Sequence, residues 1–326
     1  MRGFRTGGHD LASGEQREFL SPPPRMVEEF LQTAGRLDDG TMMADTRRAD
    51  PSVAPSSVGT FDSGLEVRLV RPMFRTERLF GLDFVAEATI SDVSDALVRA
   101  GNDSDPGWRC VVTPNVDHLV RYRQFAADAA VARNAMLVLP DGMPIVWASR
   151  ILGAPLRSRL AGSDLFPLMW RALTLNVTPA VVISPSVEVS ALLQAEHSGC
   201  CCVEPPFFDV DDDATIDTII AEVDGAVEHT SAAFVFVALS VAKTHALAAR
   251  LEDHWHERPT PTPIVLLVGA SPEFYLGLVK RAPRWMRRSG LEWLHRLLKD
   301  PRRMVKRYLF DDLVFFRLVW EERRNR

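Results

Sequence analysis

Short runs of apolar residues, each long enough for one buried strand, recur from about residue 80 onward and are separated by longer amphipathic stretches. The pattern predicts strands over residues 109–113, 135–139, 180–184, 200–204, 233–239 and 264–268. It predicts helices over residues 90–100, 116–132, 144–152, 165–176, 187–196, 214–227 and 243–257. Apolar strands that alternate with helices of this length indicate an α/β fold, a Rossmann-like parallel sheet covered by helices on both faces.

Both ends of the chain differ from this regular middle part. Residues 1–62 are rich in proline and poor in aromatic and β-branched residues, so we expect a disordered N-terminal extension before an α/β core over residues 63–278. Residues 64–80 are ambiguous and include an alternation typical of an edge strand. Residues 279–326 begin with a strongly basic stretch in which tryptophan and leucine lie between the charges. Such an amphipathic, helical appendage suits an anionic membrane surface, and a solvated basic face or a nucleic-acid patch is the alternative.

Composition narrows the class of protein. The chain is 46% hydrophobic and 25% charged, as in globular proteins, and its net charge of -5 argues against a nucleic-acid partner. It has neither an apolar run of membrane-spanning length nor the apolar core of a secretory signal, so we expect a cytoplasmic protein. The side chains of Cys200, Cys201 and Cys202 would alternate between the faces of a strand. We therefore expect these cysteines and Cys110 to be reduced thiols rather than a metal site.

Polar residues follow two strands of the first half, at the sheet edge where α/β proteins bind ligands. After the strand at 109–113, Thr113 and Asn115 can hydrogen-bond a sugar or a phosphate, although Asn115 and Asp117 are also common helix caps. After the strand at 135–139, Asp141 is followed by Gly142 and a proline. Its carboxylate can cap the next helix or remove the proton of an acceptor hydroxyl.

A third polar stretch precedes the helix predicted at 165–176. Arg159 lies just before a glycine turn, where a guanidinium can bind a diphosphate through two hydrogen bonds. Ser163 or Asp164 is the predicted N-cap of that helix. The alternative for Arg159 is a surface salt bridge with Asp164.

Together these stretches resemble the WecG/TagA/CpsF family of glycosyltransferases, which act in the synthesis of bacterial cell-surface polymers. The resemblance spans residues of about 80 to 310, and the matching stretches are residues 113–118, 140–147, 159–165 and 280–297. Their order and spacing agree with the family. The last stretch is the most specific, because its Trp, Gly, Glu and Arg positions would rarely recur by chance.

The resemblance implies inverting transfer of a sugar from a UDP-sugar donor to a polyprenyl-diphosphate-linked saccharide, at the inner face of the cell membrane. It implies that Asp141 is the catalytic base, that Thr113 and Asn115 line the sugar pocket, and that Arg159 helps the diphosphate leave. The remaining candidates for substrate binding are Asp117, Asp164, Lys243 and Thr244. The basic segment resembles an appendage that closes the site, and its candidate phosphate ligands are Arg296, Arg302, Arg303 and Arg307. A homo-oligomer is possible in such a family.

The resemblance implies no cofactor, since the family is not known to need a metal. The acidic run at residues 211–213 precedes a predicted helix, and we interpret it as a helix cap rather than a Mg²⁺ site. No Gly-x-Gly-x-x-Gly follows a predicted strand, which disfavours a nucleotide-dependent oxidoreductase.

The second half departs from the family's pattern on the side expected to hold the nucleotide. Residues 184–186 read Ser-Pro-Ser in place of a glycine-rich turn, and residues 272–273 read Pro-Glu in place of Phe-Asp. Residues 240–245 keep only Lys243 of a Gly-x-Pro-Lys-Gln-Glu run, and we interpret His245 there as a surface residue. A weakened or inactive relative that binds a nucleotide-sugar or a partner in a regulatory role is therefore the alternative to an active transferase.

Overall fold

The computed structural model describes residues 73–102, 108–256, 261–283, 286 and 314–326. The predicted N-terminal extension and most of the basic appendage lie outside these residues, as do Arg296, Arg302, Arg303 and Arg307. Predictions about those parts of the chain stay predictions.

In the described part of the chain, eight strands form one sheet in the order β1-β2-β4-β3-β8-β7-β5-β6. The strands are β1 (Thr76–Leu79), β2 (Leu82–Val85), β3 (Cys110–Val112), β4 (Leu137–Val138), β5 (Ala180–Ile183), β6 (Cys200–Val203), β7 (Phe234–Val237) and β8 (Ile264–Leu267). β1 pairs with β2 in antiparallel fashion, and the other paired strands are parallel. The predicted α/β fold with a mostly parallel sheet is confirmed.

Nine helices with bounded ends lie among the described residues. They are α1 (Ile90–Ala100), α2 (Val116–Gln124), α3 (Ala126–Arg133), α4 (Met143–Ile151), α5 (Gly162–Asn176), α6 (Val187–Glu196), α7 (Asp213–Thr230), α8 (Val241–Trp255) and α9 (Ser271–Tyr275). A further helical stretch covers residues 314–325. Within the described residues, no helix has both the length and the apolarity needed to cross a bilayer.

The sheet is covered on both faces, because alternate residues of the central strands enter different apolar layers. One layer joins Cys110, Val112, Val235, Val237, Val265 and Leu267 to helices α2, α3, α4, α7 and α8. The other joins Val111, Phe234, Phe236, Ile264 and Leu266 to helices α1, α5 and α6. Phe315 and Leu318 of the last helical stretch pack into the first layer, so this stretch is part of the core.

The antiparallel hairpin β1–β2 was not predicted in detail. Its strands are four residues long, too short for a clear alternation. The turn between them places Phe80 at φ 54° and Gly81 at φ 76°, the left-handed backbone that a two-residue hairpin turn requires. A phenylalanine in that conformation is not a turn signal in the sequence, which explains the omission.

Two predictions about helices are wrong. The helix predicted over 116–132 is two helices, because Phe125 is extended at φ -123° and ψ 107° and ends α2 before α3 begins. The N-cap of α5 is Ala161 rather than Ser163 or Asp164, and the helix starts at Gly162. A Cβ at residue 162 would lie 3.0 Å from Oγ1 of Thr113, a tight contact, so glycine favours the close approach of the helix start to the end of β3.

Candidate active site

Three loops meet at the carboxyl edge of β3 and β4, and backbone hydrogen bonds join them. The N–H of Asp141 donates to the carbonyl of Pro114 over 2.9 Å. The N–H of Leu160 donates to the carbonyl of Pro140 over 2.8 Å. The first bond holds Asp141 beside the loop that bears Thr113 and Asn115. The second joins Leu160, the neighbour of Arg159, to the loop that bears Asp141. The structure therefore brings together the site residues predicted from the first half of the sequence.

Gly142 sets the direction of the chain directly after Asp141. Its backbone lies at φ 120° and ψ 137°, a region that only glycine occupies without strain. A Cβ at this position would lie 4.0 Å from Cβ of Asn115, so the two loops are in contact. Gly142 is also the N-cap residue of α4, which means that Asp141 does not occupy the N-cap position.

Thr113 and Asn115 both take part in local hydrogen bonds. Oγ1 of Thr113 donates to the carbonyl of Leu267 over 3.4 Å, which ties the end of β3 to the end of β8. Asn115 is the N-cap of α2, and its Oδ1 accepts from the N–H of His118 over 3.2 Å. The capping interpretation of Asn115 is therefore confirmed. Since capping uses the side-chain oxygen, the amide nitrogen is the group that Asn115 can offer a ligand, and Asp117 lies partly buried in the same first turn.

Two guanidinium groups surround one carboxylate at the start of α5. Arg159 forms an ion pair with Asp164, and Nη1 of Arg281 lies 2.8 Å from the same carboxylate. The side chains of both arginines are only 14% exposed. The predicted pairing of Arg159 with Asp164 is thus present, although in a partly buried setting rather than at the open surface. Arg281 was not predicted as a site residue. Its position in the most specific stretch of the family resemblance could have indicated it.

A proline inside α5 explains how Arg281 is held. Pro167 lacks the N–H that would bond to the carbonyl of Ser163 four residues earlier in a regular helix. That carbonyl instead accepts a hydrogen bond of 3.1 Å from Nη1 of Arg281. An arginine near the start of the basic segment is therefore fixed to the first turn of α5.

His245 is 2% exposed, so its interpretation as a surface residue is wrong. Its Nδ1 lies 2.9 Å from the carbonyl of Val241, and its Nε2 lies 3.0 Å from the hydroxyl of Tyr122. Because a carbonyl can only accept, Nδ1 bears the proton and Nε2 accepts from Tyr122. The first turn of α8 faces α2 rather than solvent, which the local sequence does not reveal.

The ring of His118 completes this cluster of His118, Tyr122 and His245. Its centroid lies 5.7 Å from that of His245 and 6.2 Å from that of Tyr122. Burial, with smaller contributions from His245 and Arg121, lowers the pKa of His118 to about 3. Burial also lowers the pKa of His245. Both imidazoles are therefore neutral near pH 7, and the neutral cluster joins α2, whose N-cap is Asn115, to the first turn of α8.

The second polar region lies where β6 and β7 end. An open cavity of about 570 Å³ is lined by Phe208, Asp209, Val210, Asp211, Asp212, Ser240, Ala242 and Lys243. Nζ of Lys243 lies 4.5 Å from the ring centres of both Phe207 and Phe208, and Phe207 is 89% exposed. The two phenylalanines were not predicted as site residues, although an aromatic pair in a loop directly after a strand was a usable signal.

The other residues of this region have mainly structural contacts. Thr244 is 4% exposed, and its hydroxyl donates to the carbonyl of Leu239 over 3.0 Å. Oγ of Ser186 caps α6 by accepting from Val189. Asp212 is the N-cap of α7 and accepts from the N–H of Thr215 over 3.1 Å, which confirms the capping interpretation for this member of the acidic run.

A sequence model of the glycosyl transferase WecG/TagA/CpsF family matches residues 77–326 of the chain, from the first strand of the sheet to the last residue. The chain belongs to this family. It is therefore a glycosyltransferase, and the family resemblance predicted from the sequence is confirmed.

Curated relatives agree with this assignment. An N-acetylglucosaminyldiphosphoundecaprenol N-acetyl-beta-D-mannosaminyltransferase of Bacillus spizizenii (strain W23) is 28% identical over 232 residues, which cover 70% of this chain and 85% of the relative. A protein of the same name from Staphylococcus aureus (strain MRSA252) is 23% identical over 241 residues, which cover 69% of this chain and 85% of the relative. The family-model match over residues 77–326 includes both the edge with Asp141 and the region with Lys243.

Proposed function

We propose that this chain transfers an N-acetylated amino sugar from a UDP-sugar to a saccharide linked to a polyprenyl diphosphate, with inversion at the anomeric carbon. The observation that supports this most is the meeting of Asp141, Thr113, Asn115 and Arg159 at one edge of the sheet. The names of the two relatives support the class of acceptor, a lipid-linked N-acetylglucosamine, and the class of transferred sugar.

In the proposed reaction, the carboxylate of Asp141 takes the proton of the acceptor hydroxyl. The hydroxyl oxygen then attacks the anomeric carbon from the side opposite the diphosphate. The bond between that carbon and the diphosphate oxygen breaks, and the nucleoside diphosphate leaves with the electron pair. A single displacement of this kind inverts the anomeric configuration.

Positive charge near the departing diphosphate is proposed to come from side chains. The guanidinium of Arg159 lies beside the N-terminus of α5, and both groups favour an anion. Lys243 provides a second cation at the cavity where β6 and β7 end, and the exposed ring of Phe207 offers a face on which a nucleotide base can stack. The proposal assigns no metal. Because the proposed acceptor carries a polyprenyl chain, we also propose a peripheral protein at the inner surface of the cell membrane.

The test is transfer by Asp141→Asn, assayed with a panel of UDP-N-acetylhexosamines and a short-chain polyprenyl-diphosphate N-acetylglucosamine. We expect kcat to fall by about 100-fold or more, since general bases contribute 10²–10⁴-fold, while calorimetry shows unchanged donor binding. Asp83→Asn is the matched control, because Asp83 is an exposed carboxylate that pairs with Arg78 and lies far from Asp141 along the chain. Full transfer by Asp141→Asn would remove this residue from the role of base.

The second candidate function is a relative that binds a nucleotide-sugar without transferring it. The burial of the Thr244 hydroxyl favours this candidate, because a residue at the position where the family's pattern has Gln is used for an internal hydrogen bond. The same donor panel separates the two. Binding of a donor with no transfer to any acceptor of the panel would support the second candidate.

A further inference from the structure

Two of the cysteines of β6 point to the same side of the sheet and touch each other. Sγ of Cys200 lies 3.6 Å from Sγ of Cys202, and both side chains are partly exposed. Cys201 lies between them and packs into the layer on the other face. β6 stands at the end of the strand order in the described sheet and pairs with β5 alone. A pair of thiols in contact on an edge strand is chemically different from three isolated cysteines.

A bond between these two sulfurs requires a local bend of β6. Residues i and i+2 of a strand are about 6.6 Å apart, within the range of about 4.4–6.8 Å seen between the Cα atoms of disulfides, but their parallel side chains also hold the Cβ atoms farther apart than the roughly 3.5–4.5 Å that a disulfide spans. Adjacent residues point to opposite faces, so Cys201 cannot reach either neighbour in the same way. Cys110 is fully buried in β3, in the centre of the sheet. Cys200 and Cys202, whose sulfurs already touch, are therefore the pair that a local bend of the edge strand can join.

The contact also makes the two thiols unequal. The hydrogen bond from the Cys200 thiol lowers the pKa of Cys202, and the same bond followed by burial raises the pKa of Cys200. Burial raises the pKa of Cys201. Because the thiolate is the reactive form of cysteine, Cys202 is the first site of attack on an oxidant, with Cys200 beside it as the resolving thiol.

We propose that Cys200 and Cys202 form a reversible covalent modification site, in which a peroxide converts the two thiols into an intrastrand disulfide. The Cys202 thiolate attacks one peroxide oxygen, the O–O bond breaks, and the departing hydroxide takes a proton and leaves as water. The product is a sulfenic acid at Cys202. The Cys200 sulfur then attacks that sulfur, the S–O bond breaks, and a second water leaves with the proton of Cys200. Two thiols are oxidised, one peroxide is reduced, and the chain loses two hydrogens.

The disulfide is expected to be easy to reduce. A disulfide that must bend its own strand stores strain, and strained, exposed disulfides are the labile ones. Formation of the disulfide also draws residues 200 and 202 together, which weakens their pairing with Ala180 and Val182 of β5. Hydrogen exchange is therefore expected to rise in β6 on oxidation, and a dithiol reductant is expected to restore it. This inference does not depend on the proposed transfer reaction.

The test is peptide mapping of the full chain after brief treatment with hydrogen peroxide and alkylation of the remaining thiols. Cleavage after Glu196 and Glu204 releases one peptide with all three cysteines of β6. We expect this peptide to bind one alkyl group in place of three and to lack two hydrogens, and dithiothreitol to restore all three sites. Fragmentation is expected to place the single alkyl group on Cys201.

Single serine variants provide the matched controls, since serine has nearly the shape of cysteine and circular dichroism verifies the fold. Cys201→Ser is expected to keep the two-thiol loss, and Cys200→Ser and Cys202→Ser are expected to abolish it. The proposal is overturned by a bond that involves Cys201, by a bond between two chains, or by sulfinic acids alone. It is also overturned if all three thiols survive peroxide that oxidises free cysteine completely.

Discussion

The buried His118–Tyr122–His245 cluster predicts that acid destabilises this protein well above the pH at which carboxylates titrate. In the folded protein the pKa of His118 is about 3, whereas an unfolded histidine titrates near 6.5. Between those values the unfolded chain binds a proton that the folded protein does not. The free energy of unfolding therefore falls as the pH drops below about 6.5, and it goes on falling until about pH 3.

The size of the effect follows from this difference in proton binding. For a single histidine with an unfolded pKa near 6.5, acidification from pH 7 to pH 5 lowers the free energy of unfolding by about 2 kcal/mol. Solvent reaches part of the His118 side chain, so we expect about 1 to 2 kcal/mol from this residue. His245 adds to the loss, because burial lowers its pKa as well. Arg121 lowers the pKa of both histidines, and its ion-pair partner Asp128 raises that of His245.

The carboxylates of the protein contribute in a lower window. The pKa values of Asp92 and Asp212 are lowered by hydrogen bonds at helix N-termini, and the stability that these groups provide is lost only as the pH falls below about 4. Burial raises the pKa of Glu252, so this carboxylate opposes the histidines as the pH falls, and the difference between wild type and a histidine variant is what isolates the histidine contribution.

Urea unfolding of the full chain at pH 7, 6, 5.5 and 5 measures the effect. We expect His118→Gln to flatten the pH dependence by about 1 to 2 kcal/mol, and His229→Gln, a change at an exposed helix residue, to leave it as in the wild type. The reasoning is refuted if wild-type stability is constant across the interval. It is also refuted if His118→Gln keeps the full wild-type slope.

Further substitutions test the loop after Asp141, the contacts of Arg281 and the cavity beside Lys243. Gly142→Ala forces a side chain into a glycine-only backbone region, so we expect a loss of about 1 to 3 kcal/mol in urea unfolding together with reduced transfer; wild-type stability would contradict the assigned backbone. Arg281→Met removes charge-assisted hydrogen bonds to Asp164 and to a helix carbonyl, and we expect it to cost about 1.5 to 3 kcal/mol, with partial recovery in Arg281→Lys. Lys243→Met is expected to raise the KM for the donor about 10-fold without a loss of stability. Thr244→Val is expected to lower the free energy of unfolding by about 1 kcal/mol and to leave this KM unchanged. The reverse pattern at Lys243 and Thr244 would show that the hydroxyl, and not the cation, faces the donor.

The sequence predicted elements best where local chemistry sets their ends. The bounds of α1 and α6 agree to the residue, because Thr89 and Ser186 accept hydrogen bonds from the first turns of these helices. The break at Phe125 and the hairpin turn at Phe80 were missed, since an aromatic residue is an unusual choice for either position. In both cases tertiary packing decides the backbone.

The candidate site was predictable to the extent that strand ends determine it. Thr113 and Asp141 follow β3 and β4, and neighbouring parallel strands place such residues at one edge whatever the details of packing. The environment of His245 was not predictable in this way. Which side of α8 faces the protein depends on how that helix packs on α2, and Tyr122, its hydrogen-bond partner, lies 123 residues earlier in the chain.

The two arginines at Asp164 have a consequence for ligand binding. A diphosphate that attracts Arg159 competes with the carboxylate of Asp164 for the same guanidinium. A half-buried carboxylate that loses its single counter-ion raises the free energy of the complex, and this penalty would be subtracted from the affinity. Here Arg281 stays bound to Asp164 through its own contact, and its anchor at the Ser163 carbonyl does not involve Arg159. If Arg159 binds the donor diphosphate as proposed, it can therefore exchange the carboxylate of Asp164 for a phosphate at little electrostatic cost, because Asp164 keeps Arg281 as a counter-ion.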